Sequence, residues 1–248
     1  MFRSDITIKE GAFIVSDAHY SYLRPQFLEF IKAIDSKKLF PTQLIFMGDI
    51  FDALFGQVIY THIQNREIID LINKISLNME IIILEGNHDF NLKNIFLNAE
   101  VFQISQQPLL CKYNKKRVYL AHGDFNAGFG YKIYTMLIRN PLLLSILAYV
   151  DNIGAHFILK RLDEHLGKKN DCKKLDNFEN FISKRVFDKY KCDYFIEGHF
   201  HQNRVFNLKE FSYINLAAFA CNQRYFTVNS LQDKELLEEN IFSKGIKE

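Results

Sequence analysis

Five short apolar runs along the chain each end in a polar loop. Phe13-Ile14-Val15 leads into Ser16-Asp17-Ala18-His19, and Leu44-Ile45-Phe46-Met47 into Gly48-Asp49-Ile50-Phe51-Asp52. Ile81–Leu84 leads into Glu85-Gly86-Asn87-His88-Asp89, Val118-Tyr119-Leu120 into Ala121-His122-Gly123-Asp124, and Tyr194-Phe195-Ile196 into Glu197-Gly198-His199-Phe200-His201. Continuous apolar runs of this length, bounded by turn residues, predict buried strands. Ligands of open α/β sheets bind at the carboxyl edge of the strands, and each of these loops sits at such an edge. If the strands are neighbours, the Asp, His and Asn side chains of all five loops converge.

Between the runs the period changes to that of a helix. After Arg24-Pro25, a proline suited to a first helical turn, Phe27, Leu28, Phe30, Ile31 and Ile34 form one apolar face. This predicts a β-α-β unit with its first two strands parallel. Residues 58–75 repeat the pattern and predict one further helix. Residues 101–120 predict a hairpin turning at Tyr113-Asn114-Lys115-Lys116. From about 126 to 190 the pattern is helical without strand signal, an insertion in an otherwise single domain over residues 1–248. Strand-like runs return at 204–208, 211–216 and 224–228, and the Lys/Glu-rich stretch from Asp233 reads as a solvated helix or frayed end.

Composition changes this picture little. The chain of 248 residues is 48% hydrophobic, enough for a sizeable core, and its net charge of +2 favours neither nucleic acid nor an acidic partner. No obligate protein partner is expected. Cys111, Cys172, Cys192 and Cys221 form no CxxC pair and read as reduced thiols of a cytosolic protein. The N-terminus has no apolar h-region. Residues 141–150 are strongly apolar but too few to span a bilayer, which takes ~20 residues. The expectation is a chain that is soluble or lies on a membrane without crossing it.

The chemistry lies in the loops. Imidazoles and carboxylates without thiolates suit Mn, Fe or Zn. Asp17, His19, Asp49, Asn87, His122, His199 and His201 are too many for one ion and fit two. Asp49, on the central strand, is the natural bridge, and the two histidines of His199-Phe200-His201 can serve different ions. The neutral oxygen of Asn87 leaves the site net positive and ready for phosphate. Singly, each motif is weak, since Gly-Asp at a strand end is often only a turn. Their joint order carries the signal.

That order resembles the calcineurin-like metallophosphoesterase superfamily, whose blocks read D-x-H, G-D-x-x-D, G-N-H-D/E, a histidine block and G-H-x-H. The resemblance implies an α/β fold, a four-layer α/β/β/α sandwich, here with a helical lid insertion. It also implies two divalent ions, Mn²⁺ the expected metal. Asp17, His19, Asp49 and His201 would hold one, and Asp49, Asn87, His122 and His199 the other. Asn87 and His88 would contact substrate, and His88 would be the catalytic histidine that stabilises or protonates the leaving group. Asp52, Asp89 and Asp124 are expected to hydrogen-bond the ligating histidines.

Within the superfamily the S-D-x-H, G-D-I-F-D, G-N-x-D-F, H-G-D and G-H-x-H set is most similar to the UDP-2,3-diacylglucosamine pyrophosphohydrolases of lipid A synthesis. One departure is His88, where that family usually carries arginine. The resemblance implies a nucleotide-activated glycolipid substrate, cleaved to lipid monophosphate and UMP on the cytoplasmic face of the inner membrane. The apolar block from Tyr131 to Val150 is then either a helix pair packed on the sheet or a surface for acyl chains and membrane. In the second case Lys132, Arg139, Lys160 and Arg161 lie near anionic headgroups. Lys168-Lys169 and Lys173-Lys174 read as a solvated loop, and His62, His156 and His165 as non-ligands. Two rivals stay open: a phosphodiesterase or phosphatase for a soluble nucleotide or phosphoprotein, and a non-catalytic binding scaffold.

Overall fold

The computed structural model describes residues 6–126, 128–167, 172–186, 189–208, 211–230 and 235–242. Strand β1 (Phe13–Val15) is followed by α1 (Gln26–Asp35) and β2 (Leu44–Phe46). A short strand β3 (Leu54–Phe55) precedes α2 (Ile59–Gln64), α3 (Arg66–Ile75), β4 (Ile81–Leu84), the short β5 (Asp89–Phe90) and β6 (Glu100–Phe102). The hairpin β7 (Leu109–Tyr113) and β8 (Lys116–Ala121) leads into α4 (Phe129–Ile138), α5 (Pro141–Ile153), α6 (Phe157–Gly167) and α7 (Phe178–Val186). The chain closes with β9 (Tyr194–Glu197), β10 (Arg204–Asn207), β11 (Ser212–Asn215), α8 (Phe219–Asn222), β12 (Arg224–Val228) and β13 (Leu237–Ile241).

Two sheets result. The first has the order β13-β12-β1-β2-β4-β6, with β1, β2, β4 and β6 parallel, as the β-α-β pattern predicts. The second has the order β10-β11-β9-β8-β7, with β8, β9 and β11 parallel. Alternation along each strand sorts the side chains into layers. Ile14, Ile45 and Ile82 face Val118, Leu120, Ile196 and Ile214 between the sheets. Phe13, Val15, Phe46 and Ile83 instead pack under Phe27, Phe30 and Ile31 of α1 and Ile68 and Ile72 of α3. Phe195 and Tyr213 pack on Phe178, Ile182 and Val186 of α7. These are the four layers of an α/β/β/α sandwich.

Four expectations need correction. The single helix over residues 58–75 is two, because the buried side-chain amide of Asn65 donates to the carbonyls of Ala53 (3.1 Å) and Thr61 (2.8 Å) and breaks the run. The hairpin region begins with a separate strand, β6, that pairs with β4 of the other sheet. Within the C-terminal stretch, Leu237–Ile241 form the edge strand β13, where Leu237 is buried and Glu238 and Glu239 are not, and charged residues suit an edge; residues 233, 234 and 243–248 lie outside the described residues. Finally, Cys172 and Cys221 form a disulfide. They lie 49 residues apart, and only the fold brings the segment before α7 against α8. Cys111 and Cys192 are buried free thiols, as expected.

Candidate metal centre

The carboxyl ends of β1, β2 and β4 and those of β8 and β9 meet where the two sheets face one another. The backbone there is strained. Asp17, His19, Asp49, His199 and His201 all adopt left-handed conformations, with φ of 52°, 45°, 50°, 62° and 56°. Each such residue costs on the order of 1 kcal/mol and persists only where its surroundings fix it. Here the loops fix one another. The N–H groups of Asp17 and His19 donate to the carbonyls of Gly48 (3.1 Å) and Asp49 (3.0 Å). Asp89 accepts from the N–H groups of Asp49 (3.0 Å), Ile50 (2.6 Å), Phe51 (3.2 Å) and Gly86 (2.9 Å). Two glycines permit the close approach: a Cβ on Gly86 would stand 2.1 Å from Asp49 Oδ1, and one on Gly198 2.0 Å from Ser16 Oγ.

All seven expected ligands come together, in two groups. Ligand atoms of Asp17, His19 and His201 lie within 4.8 Å of one another, and so do those of Asp49, His122 and His199. Asn87 joins the second group, its Oδ1 being 3.3 Å from His122 Nε2. Asp49 lies centrally, its Oδ2 being 3.3 Å from His122 Nε2 and 4.0 Å from His88 Nε2. The histidines are oriented from behind. His122 Nδ1 donates to the Met47 carbonyl (3.0 Å) and His19 Nδ1 lies 3.2 Å from Asp52 Oδ1, which turns each Nε2 inward. His88 Nδ1 donates to the Asp52 carbonyl (3.0 Å), and its backbone N–H donates to Asp49 Oδ1 (2.8 Å). His88 also lies within 4.8 Å of His19 and Asp52, in a third group of potential donors.

Burial sets the electrostatics. It would raise the carboxyls of Asp17 and Asp49, but the imidazoles of His201 and of His122 and His88 outweigh it and hold both far below the ordinary range. His122 shows the converse: burial opposes its charge, yet Asp49 raises it well above the usual histidine value. Burial and the neighbouring His122 push His199 down to about 3. Burial, then the Asp49 charge, push Asp89 up to about 7 against its backbone donors. A buried set of imidazoles, carboxylates and one amide oxygen fits hard or borderline divalent cations.

Two partly buried arginines brace the site, and neither has a sequence pattern that marks it. Arg185 of α7 donates to Glu197 Oε1 (2.6 Å) and to the carbonyl of Gly123, and Tyr213 donates to Glu197 Oε2 (2.6 Å). Arg139, expected near lipid headgroups, turns inward instead. It donates to Glu85 Oε2 (3.3 Å) and the Gly86 carbonyl (2.6 Å), and lies 3.7 Å from Asp124 Oδ2. Of the three expected supporting carboxylates, only Asp52 meets a candidate-ligand histidine side chain. Asp89 holds the Asp49 loop by its backbone, and Asp124 meets Arg139 and the Tyr131 hydroxyl (3.3 Å). His62 Nε2 bonds the Phe55 carbonyl, His156 stacks on Tyr60, and His165 joins none of the three donor groups.

Helices α4 to α6 stand over this edge, whereas α7 belongs to the sandwich. They anchor through Leu144 and Leu159 on Ala53, Phe55, Val58 and Phe90. Most of their apolar residues remain in the open: Met136 is 66% exposed, Leu142 73%, Tyr149 68% and Ile153 70%. The helices therefore rest on β3 and β5 by a few residues and leave most of their apolar surface uncovered. Among the described residues no single helix is long and apolar enough to cross a membrane; α4 and α5 are bent by 67° at their junction. Lys168 and Lys169 lie outside the described residues, and Lys174 meets the His201 loop.

The calcineurin-like phosphoesterase family matches residues 12–203, and the chain belongs to it. Its members are metal-dependent hydrolases of phosphoric esters. Among similar proteins is a UDP-2,3-diacylglucosamine hydrolase of Pseudomonas putida, 28% identical over 60% of this chain and 62% of the relative. A protein of the same name from Pseudomonas fluorescens is 24% identical over 79% of this chain and 81% of its own. The chain thus spans about 62% of the length of the former relative. An archaeal phosphodiesterase of known structure covers 93% of this chain and 99% of its own at 14% identity, with a TM-score of 0.46.

Proposed function

We propose that the chain hydrolyses the diphosphate of UDP-2,3-diacylglucosamine, giving the lipid monophosphate and UMP, with two divalent ions, Mn²⁺ the expected metal. Asp17, His19, Asp49 and His201 would hold one ion, and Asp49, Asn87, His122 and His199 the other. Such a pair activates a water and neutralises charge on the phosphate oxygens. The protein supplies orientation. Asp89 and the crossed backbone bonds hold Asp49 between the two groups, and Asp52 aims both His19 and His88. His88, with Nδ1 committed to the Asp52 carbonyl, presents Nε2 to the leaving oxygen.

The observation that carries the lipid reading is the exposed apolar surface of α4 and α5 beside the candidate ligands. A phosphatase for small esters has no use for it. Each methylene of an acyl chain buried there contributes ~0.8 kcal/mol. The same surface supports a peripheral place on a membrane; the proposed reaction would put it on the cytoplasmic face of the inner membrane and calls for no nucleic acid or obligate protein partner. Replacing Leu143 and Leu147 with Asp is expected to lower kcat/KM on the lipid about tenfold or more, some 1.4 kcal/mol, and far less on a small chromogenic phosphodiester. Equal losses on both would contradict the acyl role. His88, in place of the lipid enzymes' usual arginine, favours a second reading, a soluble phosphodiester as substrate. Wild-type protein that cleaves the small ester and ignores the lipid would establish it.

A further inference from the structure

A cavity of about 450 Å³ borders His201 and reaches from the segment before α7 to α8 and β12. Three cations line it: Lys174, Arg204 and Arg224. Lys174 Nζ donates to the carbonyls of His201 (3.2 Å) and Gln202 (2.8 Å), so its ammonium is seated in the candidate ligand loop itself. Two residues before it, the Cys172–Cys221 bond ties this segment to α8 on the opposite wall. Arg204 stands exposed on β10, and Arg224 meets Glu239, which also accepts from Asn203 Nδ2 (2.7 Å). Among the described residues no carboxylate lines the cavity. The remaining lining includes the side-chain amides of Gln202, Asn203 and Asn222.

Glu239 pairs with Arg224, and Lys174 and Arg204 leave the wall net positive. The cavity is far larger than a phosphate ion and falls within the range of small-ligand sites, roughly 300–1,000 Å³. Amides that both donate and accept can pair with the edge of a pyrimidine base. Resting on the substrate proposed above, we propose that this cavity binds the nucleotide half of the substrate, its phosphate against Lys174, Arg204 and Arg224 and its base against Asn203 and Asn222. His201 then marks the border between the hydrolytic centre and the nucleotide subsite.

The test is calorimetric titration of Mn²⁺-loaded protein with UMP and with inorganic phosphate. Arg204→Glu and Asn222→Asp both change exposed positions, so the fold is not at stake. Each is expected to weaken UMP binding tenfold or more and to raise KM for the nucleotide substrate more than it lowers kcat, with metal stoichiometry unchanged. UMP affinity unaltered by both substitutions would overturn the subsite, and so would inorganic phosphate binding as tightly as UMP. These readouts separate the two proposals. A protein that ignores the lipid yet binds UMP through Arg204 keeps the subsite and loses the lipid. One that turns over the lipid with an unaltered KM in both variants keeps the lipid and loses the subsite.

Discussion

Asp49 accepts the His88 N–H through Oδ1 and faces His122 through Oδ2, at the point where the two groups of donors meet. Asp49→Asn removes charge from both, so it is expected to lower metal stoichiometry below two per chain and abolish turnover. Full stoichiometry by elemental analysis would contradict a bridging role. His88→Ala removes a group that bonds Asp52 and leaves both donor sets whole. It is expected to keep two metals and lose about 10²–10⁴ in rate; loss of a metal would make His88 a ligand. The raised pKa of His122 sets a pH dependence. In the metal-free protein its ion pair with Asp49 contributes stability that is fully present below about 6.5, the unfolded value. That stability is lost as pH rises through the higher folded value. A metal ion must displace this proton, so Mn²⁺ affinity is expected to rise with pH up to the folded value of His122, with protons released on binding. Calorimetry in two buffers of different ionisation enthalpy measures the release, and none would show His122 already neutral.

At the scale of elements, Arg139 makes the most extensive link between α4 and the metal loops, beside the Tyr131–Asp124 hydrogen bond. Arg139, at the end of α4, bridges Glu85, the Gly86 carbonyl and Asp124 from a partly buried position, and its own carbonyl accepts from Asn91 Nδ2 (3.0 Å). Arg139→Ala leaves two buried carboxylates unpaired and is expected to cost about 3–5 kcal/mol in thermal or denaturant unfolding. Arg139→Lys cannot reproduce the fork and is expected to recover only part of this. Full recovery would mean that charge alone matters there. The strands that carry the site were legible because each is a short apolar run ending in loop residues of one chemistry. Arg139 was not, since only the turn at Asn140 brings it back over Gly86. Edge strand β13 hid behind its charge, and the break at Asn65 behind an unbroken helical period.

At the scale of the molecule, two sheets of different strand order bring five loops to one edge, and that convergence was readable from the order of the blocks. The backbone strain at five of the seven candidate ligands and the Cys172–Cys221 bond were not, because both depend on contacts between segments distant in sequence. The proposed reaction at a lipid surface rests on the sandwich, the paired donor groups and the open apolar helices. The most direct measurement is mass-spectrometric product analysis of UDP-2,3-diacylglucosamine incubated with the Mn²⁺-loaded protein. Equal amounts of UMP and 2,3-diacylglucosamine 1-phosphate are expected, abolished by chelator and by Asp49→Asn. Intact substrate, under conditions where the same protein cleaves a small phosphodiester, would contradict the account.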